Sequence, residues 1–79
     1  MRRFHLNVFS DVKAQDYEGI ERPDLDRVIA EAVIGVRDLV ATGIREGRPI
    51  HRSHRIEITD EAGAVLHMVY FGDVLDLRD

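Results

Sequence analysis

Ile56-Glu57-Ile58-Thr59-Asp60-Glu61-Ala62-Gly63-Ala64-Val65-Leu66-His67-Met68-Val69-Tyr70-Phe71 is the stretch that decides the fold. Ile56-Glu57-Ile58 alternates as a half-buried strand does, Asp60 to Gly63 turns, and Ala64 to Phe71 returns. Aspartate first and glycine fourth suit a type I turn closed by a left-handed glycine, which predicts a G1 bulge. In that register Ile58 faces Leu66 and Ile56 faces Met68, forming one layer. Val65, His67, Val69 and Phe71 then point to the opposite face, and a slip of one residue exchanges the two sets. Ala64 to Phe71 has no polar face, although a one-sided antiparallel sheet shows one.

The segment before the hairpin supplies the helix. Arg22 precedes Pro23 and is pushed out of the α region, so a helix starts after it. Asp24 suits the N-cap and Asp26 adds negative charge near the positive end of the dipole. Leu25, Val28, Ile29, Ala32, Val36, Leu39, Val40 and Gly43 then recur on one side at helical spacing, predicting a helix from Asp24 to about Glu46. Gly43 is expected to let the backbone approach the sheet closely, Gly47 to close the helix as C′, and Pro49 to stop it. Arg3 to Ser10 alternates as a strand, with Phe4, Leu6 and Val8 on one face and His5, Asn7 and Phe9 on the other. Ser10 to Asp16 reads as a loop, and Tyr17 to Glu21 as a short returning strand bent at Gly19. The whole is a small α+β domain spanning residues 1–79: one long helix on one face of a small antiparallel sheet, in the order ββαββ. The expected core is Phe4, Leu6, Val8, Leu25, Ile29, Ala32, Val36, Leu39, Ile56, Ile58, Leu66 and Met68.

Composition narrows the classes. At 79 residues with no cysteine, neither a disulfide nor a thiolate zinc site supplements the core. A chain this small relies on apolar burial, and association adds to it. The net charge of −4 argues against a general nucleic-acid binder. No run approaches the roughly 20 apolar residues of a membrane span, and Arg2-Arg3 is not followed by an apolar leader segment. The expectation is therefore a cytoplasmic protein.

Three motifs stand in order: Phe4-His5, then Asp16-Tyr17-Glu18-Gly19-Ile20-Glu21-Arg22-Pro23-Asp24, then Ile56-Glu57-Ile58-Thr59-Asp60-Glu61-Ala62-Gly63. Together they resemble a family of short bacterial proteins of unknown function. That resemblance implies the ββαββ fold and brings no activity, cofactor or catalytic residue with it.

The chemistry-bearing residues form few patterns. His51 and His54 would present two imidazoles together only on a helix, and they follow Pro49; no cysteine or nearby carboxylate completes a metal site. Ser10 and Ser53 sit in no nucleophile elbow, and no phosphate-cradling glycine loop is present. Asp16, Glu18, Glu21, Asp24 and Asp26 match no calcium loop and read as a solvated rim. No catalytic residue, metal or cofactor is expected. Arg45, Arg48, Arg52 and Arg55, with His51 and His54 between them, form a candidate anion-binding segment without interleaved aromatics, which leaves base stacking unsupported. Ile34, between Ala30 and Ala41 on the far side of the helix, is a lone exposed isoleucine.

One helix covers one side of a sheet, so the face bearing Val65, His67, Val69 and Phe71, with Phe9 beside them, is the expected interface with a second copy of the chain. The competing expectation is that Val74-Leu75-Asp76-Leu77 folds back as its cap. The leading functional expectation is a non-enzymatic homodimeric interaction module, with another protein as a further partner. The alternatives are a nucleic-acid or acidic-ligand binder using Arg45 to Arg55, and a small enzyme or metal protein using the histidines.

Overall fold

The computed structural model describes residues 1–76 and 78. In chain order they form β1 (Arg2–Phe9), β2 (Lys13–Ala14), β3 (Ile20–Arg22), α1 (Leu25–Arg45), β4 (Arg55–Thr59), β5 (Val65–Tyr70) and α2 (Phe71–Val74). All strand pairs are antiparallel. β1 pairs with β4 on one side, and β4 pairs with β5. On its other side β1 pairs with β2 near its end and with β3 near its start. This is the α+β arrangement expected, with β2 added in the segment read as a loop. No helix among the described residues is long and apolar enough to cross a membrane.

Local chemistry sets the limits of α1. Asp24 is extended, and its carboxylate accepts from the Arg27 amide at 2.9 Å, so the N-cap is occupied as expected. At the other end the Arg48 amide donates to the Gly43 carbonyl and the Gly47 amide to that of Ile44. Those paired bonds, with Gly47 at φ 72°, make a Schellman close. Gly43 differs from its expected role: it is buried against Ile50 of the following loop, not against the sheet. Val28, Ala32, Val36 and Val40 line the buried stripe and meet Phe4, Ile56 and Ile58 from the sheet.

The hairpin corrects the predicted register. Asp60 donates its amide to the Ala64 carbonyl and Thr59 pairs with Val65, as the turn dictates. Ile58, however, pairs with His67, Ile56 with Val69 and Glu57 with Met68. Leu66 is therefore an extra residue, a bulge that shifts the strand by one place beyond the turn. Residues facing each other across a ladder share a face, so Val69 joins Ile56 on the helix side and Met68 joins Glu57 on the open side. Leu66 still packs against the core from the bulge. The consequence for burial is plain: Met68, expected inside, is 38% exposed, whereas Val69 and Phe71, expected outside, are 6% and 2% exposed. Phe4, Ala32, Val36, Ile56 and Ile58 are buried as expected, while Leu6, Val8, Leu25, Ile29 and Leu39 pack half-buried around them.

The shift also makes the open side mixed, with Val65, Met68 and Tyr70 beside polar neighbours. β1 and β4 present Arg3, His5, Asn7, Phe9, Arg55, Glu57 and Thr59 to the open side, by alternation from Phe4, Leu6, Val8, Ile56 and Ile58. The chain after β5 turns to the helix side: α2 contacts α1, and Val74 and Leu75 pack on the core. Val74 and Leu75 therefore fold back on the helix side, not over the opposite face where the cap was expected. Leu77 lies outside the described residues. Ile34 is 56% exposed, as expected.

Val36→Ala and Val69→Ala should each lower stability by about 1–3 kcal/mol through lost apolar burial. Ile34→Ala should stay within about 0.5 kcal/mol. Urea denaturation midpoints measure all three, and an unchanged midpoint for Val69→Ala would contradict the shifted register.

Candidate functional site

The acidic motif at the outer edge of β1 is a joint. β2 and β3 lie along one side of β1, separated by the segment around Asp16. The Asp16 carboxylate accepts from the Leu6 amide at 3.1 Å and from the Gly19 amide at 2.9 Å. Its own amide donates to the Asn7 side-chain oxygen, and its carbonyl accepts from His5 Nδ1 at 2.8 Å. Since a carbonyl only accepts, His5 carries its proton on Nδ1. Gly19 completes the turn at φ 73°, with room for no side chain: a Cβ there would lie 2.8 Å from the Phe4 carbonyl oxygen. Glu21 pairs with Arg3 at 2.9 Å, Arg22 with Glu31 at 2.9 Å, and Asp24 caps α1. Asp16, Glu21, Arg22 and Asp24 of the motif are therefore engaged in holding the β-edge and helix together.

Burial pushes the Asp16 carboxyl up, but the amides of Gly19 and Leu6, together with the charge of His5, outweigh it and hold the group below its usual value. A carboxyl lowered on folding stabilises the fold above its unfolded value of about 4, and that stabilisation is lost as pH falls through the lower folded value. Asp16→Ala should cost about 1–3 kcal/mol at pH 7 by leaving partly buried amides without an acceptor. The cost should shrink towards pH 3, which urea titrations at the two pH values measure. Gly19→Ala should destabilise at both.

The expected interface residues do not form one surface. Val69 and Phe71 are in the core. His67 is exposed on the helix side, beside a groove lined by Ile29, Val33, Asp73 and Val74. Val65 is 47% exposed at the start of β5. Phe9 lies half-buried on the open face, with the Arg55 guanidinium 4.7 Å from its ring centre. The bulge at Leu66 is what separates them.

Nor do the four arginines stand together as free cations. Arg55 pairs with Glu57 at 2.8 Å, and Arg48 lies 3.2 Å from Glu46 and 3.6 Å from Asp11. Arg45 and Arg52 are exposed and in no ion pair among the described residues. His51 and His54 meet edge-on at 4.9 Å, and His54 meets Phe71 at 5.6 Å, so His54 packs against the core's end with His51 exposed beside it. No group of three metal-ligating side chains is present among the described residues. A cleft of about 320 Å³ opens beside His5, Asn7, Tyr17, Glu57 and Thr59. Of its four acids, Asp16 is held by amides, Glu57 by Arg55 and Asp60 by the Ala64 amide, while exposed Glu61 lies 4.0 Å from Arg3.

The feature that sequence reading missed is the contrast between the two sheet edges. The outer edge of β1 is covered by strands of two and three residues, interrupted at Asp16 and bearing Lys13, Glu21 and Arg22. Short, broken, charged strands resist further pairing. β5 ends the sheet on the other side, has six residues, and contains no lysine, arginine, aspartate, glutamate or proline. Its bulge lies at one end, leaving His67 to Tyr70 regular. The Phe71 amide donates to the His54 carbonyl at 2.7 Å, which fixes the phase of the β4–β5 ladder. Alternate residues Val69 and His67 direct their amides at β4 as well, so the backbone groups of Met68 and Tyr70 point outward. The same residues expose their side chains, at 38% and 37%. The signal for this edge was present in the sequence as the uncharged run from Val65 to Tyr70, but its reading depended on the register.

The fold and edge define a small α+β domain with one long helix, α1, packed on one face of its sheet. Residues 3–72 match the model of a family described as a domain of unknown function, DUF6894, and the chain belongs to that family. No curated protein and no solved structure matches it.

Proposed function

We propose that the chain is a non-enzymatic interaction module that acts as a homodimer through the free edge of β5. The observation that carries this reading is the unequal treatment of the edges: β1's outer side is short, broken and charged, whereas β5 is long, uncharged and open. An unpaired edge of that composition favours another strand. Each chain has one such edge, so self-pairing closes at two copies and does not propagate. The non-enzymatic part is supported by the engagement of Asp16, Glu31, Asp24 and Glu57 in contacts that hold the fold.

Light scattering at micromolar concentration should give the mass of two chains. Met68→Lys places like charges opposite one another at the centre of the paired strands and should shift the mass to one chain with an unchanged circular dichroism spectrum. A wild-type mass of one chain throughout the micromolar range would overturn the proposal.

A further inference from the structure

We infer that the two copies join β5 to β5 in antiparallel register with Met68 on the two-fold axis, making one continuous sheet. This rests on the homodimer reading and adds the contact that makes it. The ladder phase set by Phe71 and His54 leaves the amide and carbonyl of Met68 facing outward. Two such residues on a two-fold axis exchange both hydrogen bonds with each other, as a hydrogen-bonded antiparallel pair does. His67 then lies opposite Val69 of the other copy, and Tyr70 opposite Leu66.

The competing register with Val69 on the axis has the same phase but a shorter overlap, because the chain leaves the sheet for α2 at Phe71. Centring on Met68 overlaps Leu66 to Tyr70, nearly all of β5. The side chains suit this arrangement. Met68 and Tyr70 stand together on the open face, the tyrosine hydroxyl donating to the methionine sulfur at 3.2 Å. Methionine tolerates its own image across the axis because its thioether is flexible and apolar.

The paired segment contains no lysine, arginine, aspartate or glutamate, so no like charges of those residues meet in it. Beyond it, the register brings the turn bearing Asp60 and Glu61 to the end of the other copy's strand. There Gly72 rests against the backbone and Cβ of Arg52, an exposed residue in no ion pair among the described residues. Asp73 lines the groove it shares with Ile29, Val33 and His67.

The absence of cysteine from the chain makes the test clean. In this register the Met68 Cα atoms are about 5.5 Å apart, inside the span a disulfide bridges. Tyr70 is offset from its own copy by roughly 14 Å along the strands at ~3.4 Å per residue. Under mild oxidation at micromolar concentration, Met68→Cys should form a linked dimer about tenfold or more faster than Tyr70→Cys or Ile34→Cys, because paired thiols meet at millimolar effective concentration. Equal rates for Met68→Cys and Ile34→Cys, with light scattering of the wild type still giving two chains, would overturn the register while leaving the homodimer standing. A wild-type mass of one chain would overturn both.

Discussion

One extra residue in the hairpin governs this structure. The turn from Asp60 to Gly63 sets Thr59 against Val65, and the core requires a different pairing two residues further on. Leu66 absorbs the difference. Without that bulge Met68 would point at α1, while Val69 and Phe71 would face water. With it, both branched and aromatic side chains complete the core around Val28, Ala32 and Val36, and a thioether takes the exposed place. The energetic sense is direct: the wholly apolar side chains of Val69 and Phe71 are buried, while Tyr70, whose hydroxyl stays near water and donates to the Met68 sulfur, takes the exposed side with Met68.

The opposite edge is governed by a second local device of a different kind. Asp16 takes two backbone amides from separate parts of the chain, Leu6 and Gly19, and so ends β2 and begins the approach to β3. Gly19 is required there by its left-handed backbone and by the nearness of the Phe4 carbonyl. From that joint the chain runs through the Arg3–Glu21 and Arg22–Glu31 pairs into the Asp24 cap. These pairs are part-exposed, and each contributes modestly. Their value is positional: they fix the entry angle of α1 over the sheet and keep β1's outer edge short and charged. The two devices together leave β5 as the longest uninterrupted sheet edge among the described residues.

Much of this was legible in the sequence because it is written locally. The limits of α1 follow from Asp24, Gly47 and Pro49, each acting within one turn of the backbone, and the apolar stripe follows from helical spacing. The turn was equally local, and the pairing beside it matches the expected one. The bulge was not legible, because nothing within Ala64 to Phe71 distinguishes its two faces; the choice is made by what α1 and β1 have already placed opposite. The same limit applies to Gly43, whose neighbour Ile50 comes from a loop with no periodicity to read. Arg48 and Arg55 looked free in sequence because their acidic partners, Asp11 and Glu57, are supplied by chain reversal and strand pleating. The expected interface failed as a surface for one reason, the shift at Leu66, and the exposed strand reappeared as an edge.

Residue-resolved amide hydrogen exchange across a dilution series tests the account most directly, since it reads the phase of β5 and its outer partner together. The Val69 and Phe71 amides, bonded toward β4, should be protected at every concentration. The Met68 and Tyr70 amides should exchange freely in dilute protein and become protected as concentration rises. Protection of Met68 and Tyr70 at all dilutions, with Val69 exchanging freely, would contradict the bulged register and the free edge that follows from it.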